Sequence, residues 1–195
     1  MSTIIRVTDI ETSGLDPAVD AVVEVATVDV VVADDGTVTR GETWSTLVNP
    51  RRPIPCTASA VHHITDADVV DAPAWGEALT SGRFLRGPPR ALCAHNARFE
   101  RGWIKDTIAM AGIGWIDTYK VALILWPDAP SHGNQALRYW FKLALADHAE
   151  PHRALGDAYV TAAILRKALI SKRMTIDEMD PRQRRAGAAR AVPFR

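Results

Sequence analysis

Two acids, Asp9 and Glu11, stand one residue apart in the stretch VTDIETSGLDP, where an apolar run meets a Gly/Pro turn. If the run is a strand, residues two apart point to the same face, about 7 Å apart along the backbone. Like charges at that spacing are costly in a dry site unless a cation lies between them. Hard oxygen ligands select Mg²⁺ or Mn²⁺ over zinc. Taken alone, an Asp-X-Glu at a strand end reads equally well as a solvated terminus. Two further stretches shift that balance. AHNARFE puts Asn96 and Glu100 at a strand-to-helix junction, and HRALGD puts His152 five residues before Asp157 at the start of a long helix. One helix end thereby offers a third metal ligand and a base whose ordinary pKa lies near neutrality. Four acids and one histidine suit hydrolysis of a phosphodiester between two metal ions roughly 4 Å apart. One ion activates water, the other stabilises the leaving 3′ oxygen, and His152 takes the proton. Bound ions invert the charge of such a site, so a neutral protein can attract nucleic acid.

These residues need elements to hold them. TIIRVTDIE reads as a buried strand, and AVVEVATVDVVVADDGTVTRGETWSTLVNP as a β-hairpin turning at Asp35-Gly36. NPRRPIP is a Pro-rich loop, and Thr65 with Asp66 and Asp68 marks a helix start. RALCAHN is a short strand. FERGWIKDTIAMAG has helical spacing and stops at Gly112, and DTYKVALILWP is a helix closed by Pro127. NQALRYWFKLA and HRALGDAYVTAAILRKALIS read as helices, the latter with Leu155, Tyr159, Ala162 or Ala163, and Arg166 on successive turns. Three strands, then mixed helix and strand, then a closing helix indicate one mixed α/β domain over residues 1–179.

With its three motifs on view, the chain resembles the DEDDh 3′-5′ exonuclease family, which includes polymerase III epsilon proofreading subunits. The motifs are DIETSGL (Asp9 to Leu15), HNARFE (His95 to Glu100) and HRALGD (His152 to Asp157). LVNPRRPI, AVHHIT, KVALILWP and HRALGDAYVTAAIL are most similar to the exodeoxyribonuclease X branch, over about Ile4 to Met179. The resemblance implies a ribonuclease-H-like fold, a five-stranded mixed sheet with helices on both sides. It implies two Mg²⁺ ions, for which Mn²⁺ can substitute, and release of nucleoside 5′-monophosphates from DNA 3′ ends. It makes Asp9, Glu11 and Asp157 metal ligands and His152 the general base. It gives Ile10, Thr12 and Gly14 to the terminal nucleotide, Leu15 to a base, and His62, Asn96 and Phe99 to other substrate contacts. Glu100 stands where the family usually has Asp. Its charge is kept on a side chain one methylene longer, so Glu100 serves as a ligand or acts through water. The alternatives are an RNA exonuclease, a polymerase-bound proofreading subunit, a catalytically weak module that binds 3′ ends, and, more remotely, a metal-dependent small-molecule hydrolase.

Composition agrees with an ordinary globular protein rather than a disordered one. The chain has 195 residues, enough for one domain with a sizeable core, and 47% are hydrophobic. The longest apolar-looking stretch, Ala21 to Ala33, is interrupted by Glu24 and Asp29 and is too short to span a bilayer. The start lacks the pattern of a signal peptide, so a cytoplasmic protein without membrane association is expected. Oligomeric state is not readable from the sequence. Cys56 and Cys93 lie outside any CxxC spacing and read as reduced thiols. Beyond Asp180 the tail carries five arginines and no acid; it reads as a disordered end, or one that adds phosphate affinity. His62 and His63 are adjacent, so at most one faces the site. His132 reads as a loop residue and His148 as exposed, while Trp103, Trp126 and Trp140 read as core. Arg51 and Arg52 are either phosphate contacts or an ordinary solvated pair.

Overall fold

The computed structural model describes residues 2–144, 151–171 and 174–179, with residues 105–111 described by backbone only. Three antiparallel strands come first: β1 (Thr3–Thr12), β2 (Val22–Val32) and β3 (Val38–Leu47). All three are rich in β-branched residues, which pack well on a pleated surface. The β2–β3 turn is made where Asp35-Gly36 predicts it. Gly36 takes φ 84°, and Asp35 accepts a 2.9 Å hydrogen bond from the Thr37 N–H. Two short strands, β4 (Ala91–Ala94) and β5 (Gly114–Asp117), add in parallel on the other side of β1. The result is a five-stranded mixed sheet in the order β3-β2-β1-β4-β5.

Eight helices accompany the sheet among the described residues: α1 (Cys56–His62), α2 (Asp66–Val69), α3 (Trp75–Thr80), α4 (Arg98–Ala111), α5 (Thr118–Leu125), α6 (Asn134–Trp140), α7 (Ala154–Ser171) and α8 (Ile176–Met179). The sheet's alternation assigns them to two faces. Ile5 and Val7 of β1, with Ala26, Val28 and Val30 of β2, pack toward α5, α6 and α7. Ile10, Val25, Leu92 and Ala94 point the other way, into a second core with Ala78 of α3 and Ile104 of α4. Helices on both sides of the sheet are therefore a direct product of the period-two pattern. Asp9 and Glu11 share register parity with Ile5 and Val7, so they face α7.

Several elements differ from the sequence reading. The fifth strand fits the five-stranded sheet the resemblance implied, but α1, α3 and the position of β5 were not located from the residues: each is short, and β5 is a fully buried four-residue strand with no alternation to read. The NQALRYWFKLA helix stops at Trp140. Lys142 takes φ 52°, and the Leu143 N–H bonds back to the Arg138 carbonyl at 3.0 Å, closing the last turn. Trp126 is buried as expected, Trp103 is half-buried, and Trp140 is 40% exposed because it falls on the outer face of that shortened helix. On α7 the deepest stripe is Ala154, Ala158, Thr161, Leu165 and Ala168, while Leu155 and Tyr159 pack at its margin. Small residues let the helix lie close on the sheet. Met179 is buried against the first core, while His148 and the Arg-rich tail lie outside the described residues.

Candidate active site

The C-terminal end of β1 delivers Asp9 and Glu11 to the face covered by the first turn of α7, which carries Asp157. One carboxylate oxygen from each of the three residues lies within 4.8 Å of the other two. The β1–β2 register breaks between Glu11 and Thr12, so the strand stops pairing regularly at the point where it presents these acids. Glu100, in the first turn of α4, is 4% exposed, and its Oε2 has no hydrogen-bond partner. Its charge raises the Asp9 carboxyl more than that of any other carboxylate does, and it is not one of the three converging residues.

The electrostatics show a site held against its own charge. Burial, then repulsion from Glu100, Asp157, Glu11 and Glu24, raises the Asp9 carboxyl well above the usual carboxylate range. Burial and the Asp157 and Glu24 charges push Glu11 up to about 8, and burial pushes Glu100 up to about 8. Burial also raises Asp157, against which the Gln135 side chain and His152 pull downward. Among the described residues no salt bridge is formed by Asp9, Glu11, Glu100 or Asp157. Converging oxygens, an orphaned buried carboxylate oxygen and no neutralising lysine or arginine bonded to the cluster fit divalent hard cations. Asp9, Glu11 and Asp157 are the residues that would hold them, with Glu100 alongside.

His152 is exposed and sits just before α7 with φ 57°, a left-handed conformation uncommon outside glycine. It lies near enough to Asp157 that its charge and its backbone both draw the Asp157 carboxyl downward.

Six of the seven expected substrate residues, Ile10, Thr12, Gly14, Leu15, His62 and Phe99, line one cleft of about 310 Å³. Glu11 lines it too, so the cleft opens onto the acidic cluster. That volume lies at the small end of ligand pockets. Leu15 is 84% exposed at the rim. The Thr12 hydroxyl bonds to the Gly14 carbonyl at 2.6 Å, and the Ser13 and Ala21 backbones hold the turn against the start of β2. A Cβ at Gly14 would meet the Asp20 carboxylate at 2.3 Å, so the glycine makes room for the side chain that accepts from the Asp16 N–H. His62 is 1% exposed, and its Nδ1 accepts from the Ile64 N–H at 3.1 Å. His63 points outward and ends α1 with φ 60°, so one histidine of the pair faces the cleft.

Asn96 does not line this cleft. It is exposed with φ 72°, and its N–H bonds to Asp117 at 3.2 Å. His95 ties neighbouring loops, with Nδ1 3.0 Å from Thr118 Oγ1 and Nε2 2.7 Å from the His132 carbonyl. His132 is thus a loop brace, and Arg52 bonds the Val19 carbonyl.

Sequence reasoning missed several contributors. Thr57, Ala58 and Val61 of α1 form a wall of the cleft. Gln135 of α6 donates to the Asp157 carboxylate, while Arg138 bonds Gln135 Oε1 at 3.3 Å and so orients the amide. Glu24 of β2 lies opposite Glu11, and the signal for it was available: an acid interrupting an otherwise apolar strand. A larger cavity of about 820 Å³, lined by Thr3, Val32, Arg90 and Ile176 among others, contains none of these residues.

The family model described as Exonuclease, of RNase T type, matches residues 7–165. The chain belongs to this exonuclease family. It is a hydrolytic nuclease domain with a ribonuclease-H-like fold. It is 37% identical over 177 residues to Exodeoxyribonuclease 10 of Escherichia coli strain K12, covering 90% of this chain and 73% of that protein. It is also 37% identical over 160 residues to a DNA polymerase III subunit epsilon-like protein of Rhodobacter capsulatus, covering 79% of this chain but 22% of that longer protein. Among solved structures, Exonuclease X in complex with 5′ overhanging duplex DNA superposes with a TM-score of 0.71 at 33% identity, covering 92% of this chain and 99% of the other. Exonuclease I of E. coli, at 16% identity and a TM-score of 0.69, shares the fold. Among the described residues no helix is long and apolar enough to cross a membrane.

Proposed function

We propose that this chain is a divalent-metal-dependent 3′-5′ exodeoxyribonuclease releasing nucleoside 5′-monophosphates from DNA 3′ ends. The observation that carries the reading is the meeting of Asp9, Glu11 and Asp157, oxygens within 4.8 Å, at the mouth of a cleft built from the DIETSGL turn. Asp9, Glu11 and Asp157, with Glu100 directly or through water, hold two Mg²⁺ ions, or Mn²⁺ in their place. When bound, the ions neutralise the phosphate, acidify water and stabilise the departing oxygen. His152, exposed beside Asp157, accepts a proton from the attacking water. The new bond forms between that oxygen and phosphorus, the P–O3′ bond breaks, and the departing O3′ takes up a proton from solvent to become the new 3′ hydroxyl of the shortened strand. Ile10, Thr12, Gly14 and His62 enclose the terminal nucleotide, Phe99 closes one side, and Leu15 packs against a base. Asn96, outside the cleft, is a further candidate substrate contact.

Support for DNA comes from two relatives: the curated one named an exodeoxyribonuclease, and the structural one seen with duplex DNA. A second reading, a 3′-end-binding module with weak catalysis, is favoured by Glu100, which stands where the family usually has Asp. The test is a gel assay with 5′-labelled single-stranded DNA, duplex DNA and matching RNA in Mg²⁺ or Mn²⁺, beside EDTA and His152→Ala controls. A metal-dependent ladder shortening from the 3′ end, faster on DNA, is expected. End binding without cleavage in either metal selects the module, and faster RNA trimming selects an RNA exonuclease.

A further inference from the structure

Glu24 is 4% exposed in the middle of the sheet. It is the cross-strand partner of Glu11, on the face that carries Asp9 and looks toward α7. Two carboxylates directly opposed across an antiparallel pair repel and add nothing to a sheet. Glu24 is nevertheless fully engaged. Arg153 grips it with both edges of its guanidinium, Nη2 to Oε1 at 2.7 Å and Nε to Oε2 at 3.1 Å. The Ala154 N–H, first in α7, donates to Oε2 at 2.9 Å. A strand side chain thus takes the part usually played by a capping residue next to the helix in sequence.

The two residues it fixes, Arg153 and Ala154, directly follow His152 and precede Asp157 by one helical turn. His152 holds φ 57°, and the Asp157 N–H donates to the carbonyl of Arg153, the residue directly after it, at 3.0 Å. The segment is therefore pinned from two sides, by α7 itself and by β2, which runs next to the strand carrying Asp9 and Glu11. The Arg153 charge also lowers the Glu11 carboxyl, opposing the repulsion from Glu24, so the pair sits close to the acidic cluster with nearly no net charge.

We infer that the Glu24–Arg153 pair is a positioning device for catalysis: it locks the left-handed turn at His152 so that the imidazole is presented to the site built on β1. Neither residue needs to touch substrate. The pair acts through the orientation of His152, and misplacement of about 1 Å can cost a hundredfold in rate. The inference rests on the proposed role of His152 for its kinetic consequence, but the lock itself is a statement about structure.

The test compares wild type with Glu24→Gln and with Arg153→Lys, which keeps the charge but loses the two-pronged grip. For each, kcat, KM, Mn²⁺ affinity by calorimetry and the backbone ¹⁵N order parameter of His152 are measured. Both variants should lower kcat by ten- to a hundredfold, leave KM and Mn²⁺ affinity within about threefold, and drop the His152 order parameter from rigid toward flexible values. In a His152→Ala background, adding either change should cost less than twofold more. A structural contribution unrelated to His152 would multiply with that loss instead, and that result overturns the inference. So does a rigid His152 amide with unchanged kcat. If Glu24→Gln does not fold, Arg153→Lys carries the test. If His152→Ala itself keeps full turnover, the general-base reading fails, and the order parameter alone decides whether the lock exists.

Discussion

β1 carries charge at two places below the surface, Arg6 fully buried and Asp9 with Glu11 half-buried, and they are opposites. Arg6, fully buried, donates to both oxygens of Asp29, at 2.7 and 2.9 Å, and to the Phe84 carbonyl at 2.8 Å. Arg86 approaches Asp29 as well, at 3.5 Å. Three residues further along the strand, Asp9 enters a cluster of carboxylates with no salt bridge among the described residues. The first region is closed, its donors and acceptors matched within the protein. The second is open, a group of carboxylates that could hold a metal ion. A buried ion pair and a half-buried acidic cluster occupy the same strand, yet one is neutralised within the protein and the other is not.

The sharpest break of this comparison swaps the consequences of similar changes. Asp9→Asn should abolish turnover by a factor of a thousand or more and weaken Mn²⁺ uptake in calorimetry, while the metal-free protein melts no lower than wild type. Asp29→Asn should do the reverse. It strands the Arg6 charge, costs about 3–5 kcal/mol in denaturant melts, and leaves activity per folded molecule near normal. Unaltered Mn²⁺ uptake by Asp9→Asn would sink the metal assignment. Next in size is His152→Ala, expected to lower kcat by about 10²–10⁴-fold with end binding and melting temperature retained, because the side chain is exposed.

The open region should also reveal itself through pH. Glu11 holds its proton up to about 8 in the metal-free fold, against an ordinary value of 4.5. Below 4.5 both folded and unfolded chains are protonated there and nothing is lost. Between 4.5 and 8 only the unfolded chain ionises freely, so the contribution of Glu11 to stability falls as pH rises. Glu100 adds to the trend in the same direction. Metal-free melting temperature should therefore decline across that window, and Mn²⁺ should restore it more strongly at pH 8 than at pH 6, with protons released on binding. A metal-free melting curve that rises steadily to pH 8 would contradict the electrostatic picture.

The closed region explains what the sequence made legible. Strand alternation, the Asp-Gly turn and the three motifs were local patterns, and they located β1 to β3, the acids and His152. The cleft residues around Leu15 came with the motif that contains them. What escaped depends on contacts distant in sequence. Glu24 reaches Arg153 across 129 positions, and Gln135 reaches Asp157 from a helix with no site-like signature. Glu24 and Asp29 were visible as acids interrupting an apolar run, yet nothing local distinguished a capped helix from a paired arginine as the cause. Trp140 misled for a related reason: helical spacing suggested core, but the helix ended early and left it outside.

The smallest expected effect tests where the open region stops. Glu100 is the residue that departs from the family pattern, and its buried Oε2 is orphaned beside Asp9. Glu100→Asp removes one methylene from a packed position, costing about 1 kcal/mol, and draws the carboxyl back toward α4. If Glu100 already meets the metal site, directly or through water, the shorter side chain should change kcat by less than about tenfold and leave Mn²⁺ affinity within a few-fold. Glu100→Gln should be worse than Glu100→Asp, since it keeps the length and loses the charge. A hundredfold gain in kcat for Glu100→Asp would instead mean that the native side chain obstructs catalysis, and the chain would then be better understood as a binder of 3′ ends than as an efficient nuclease.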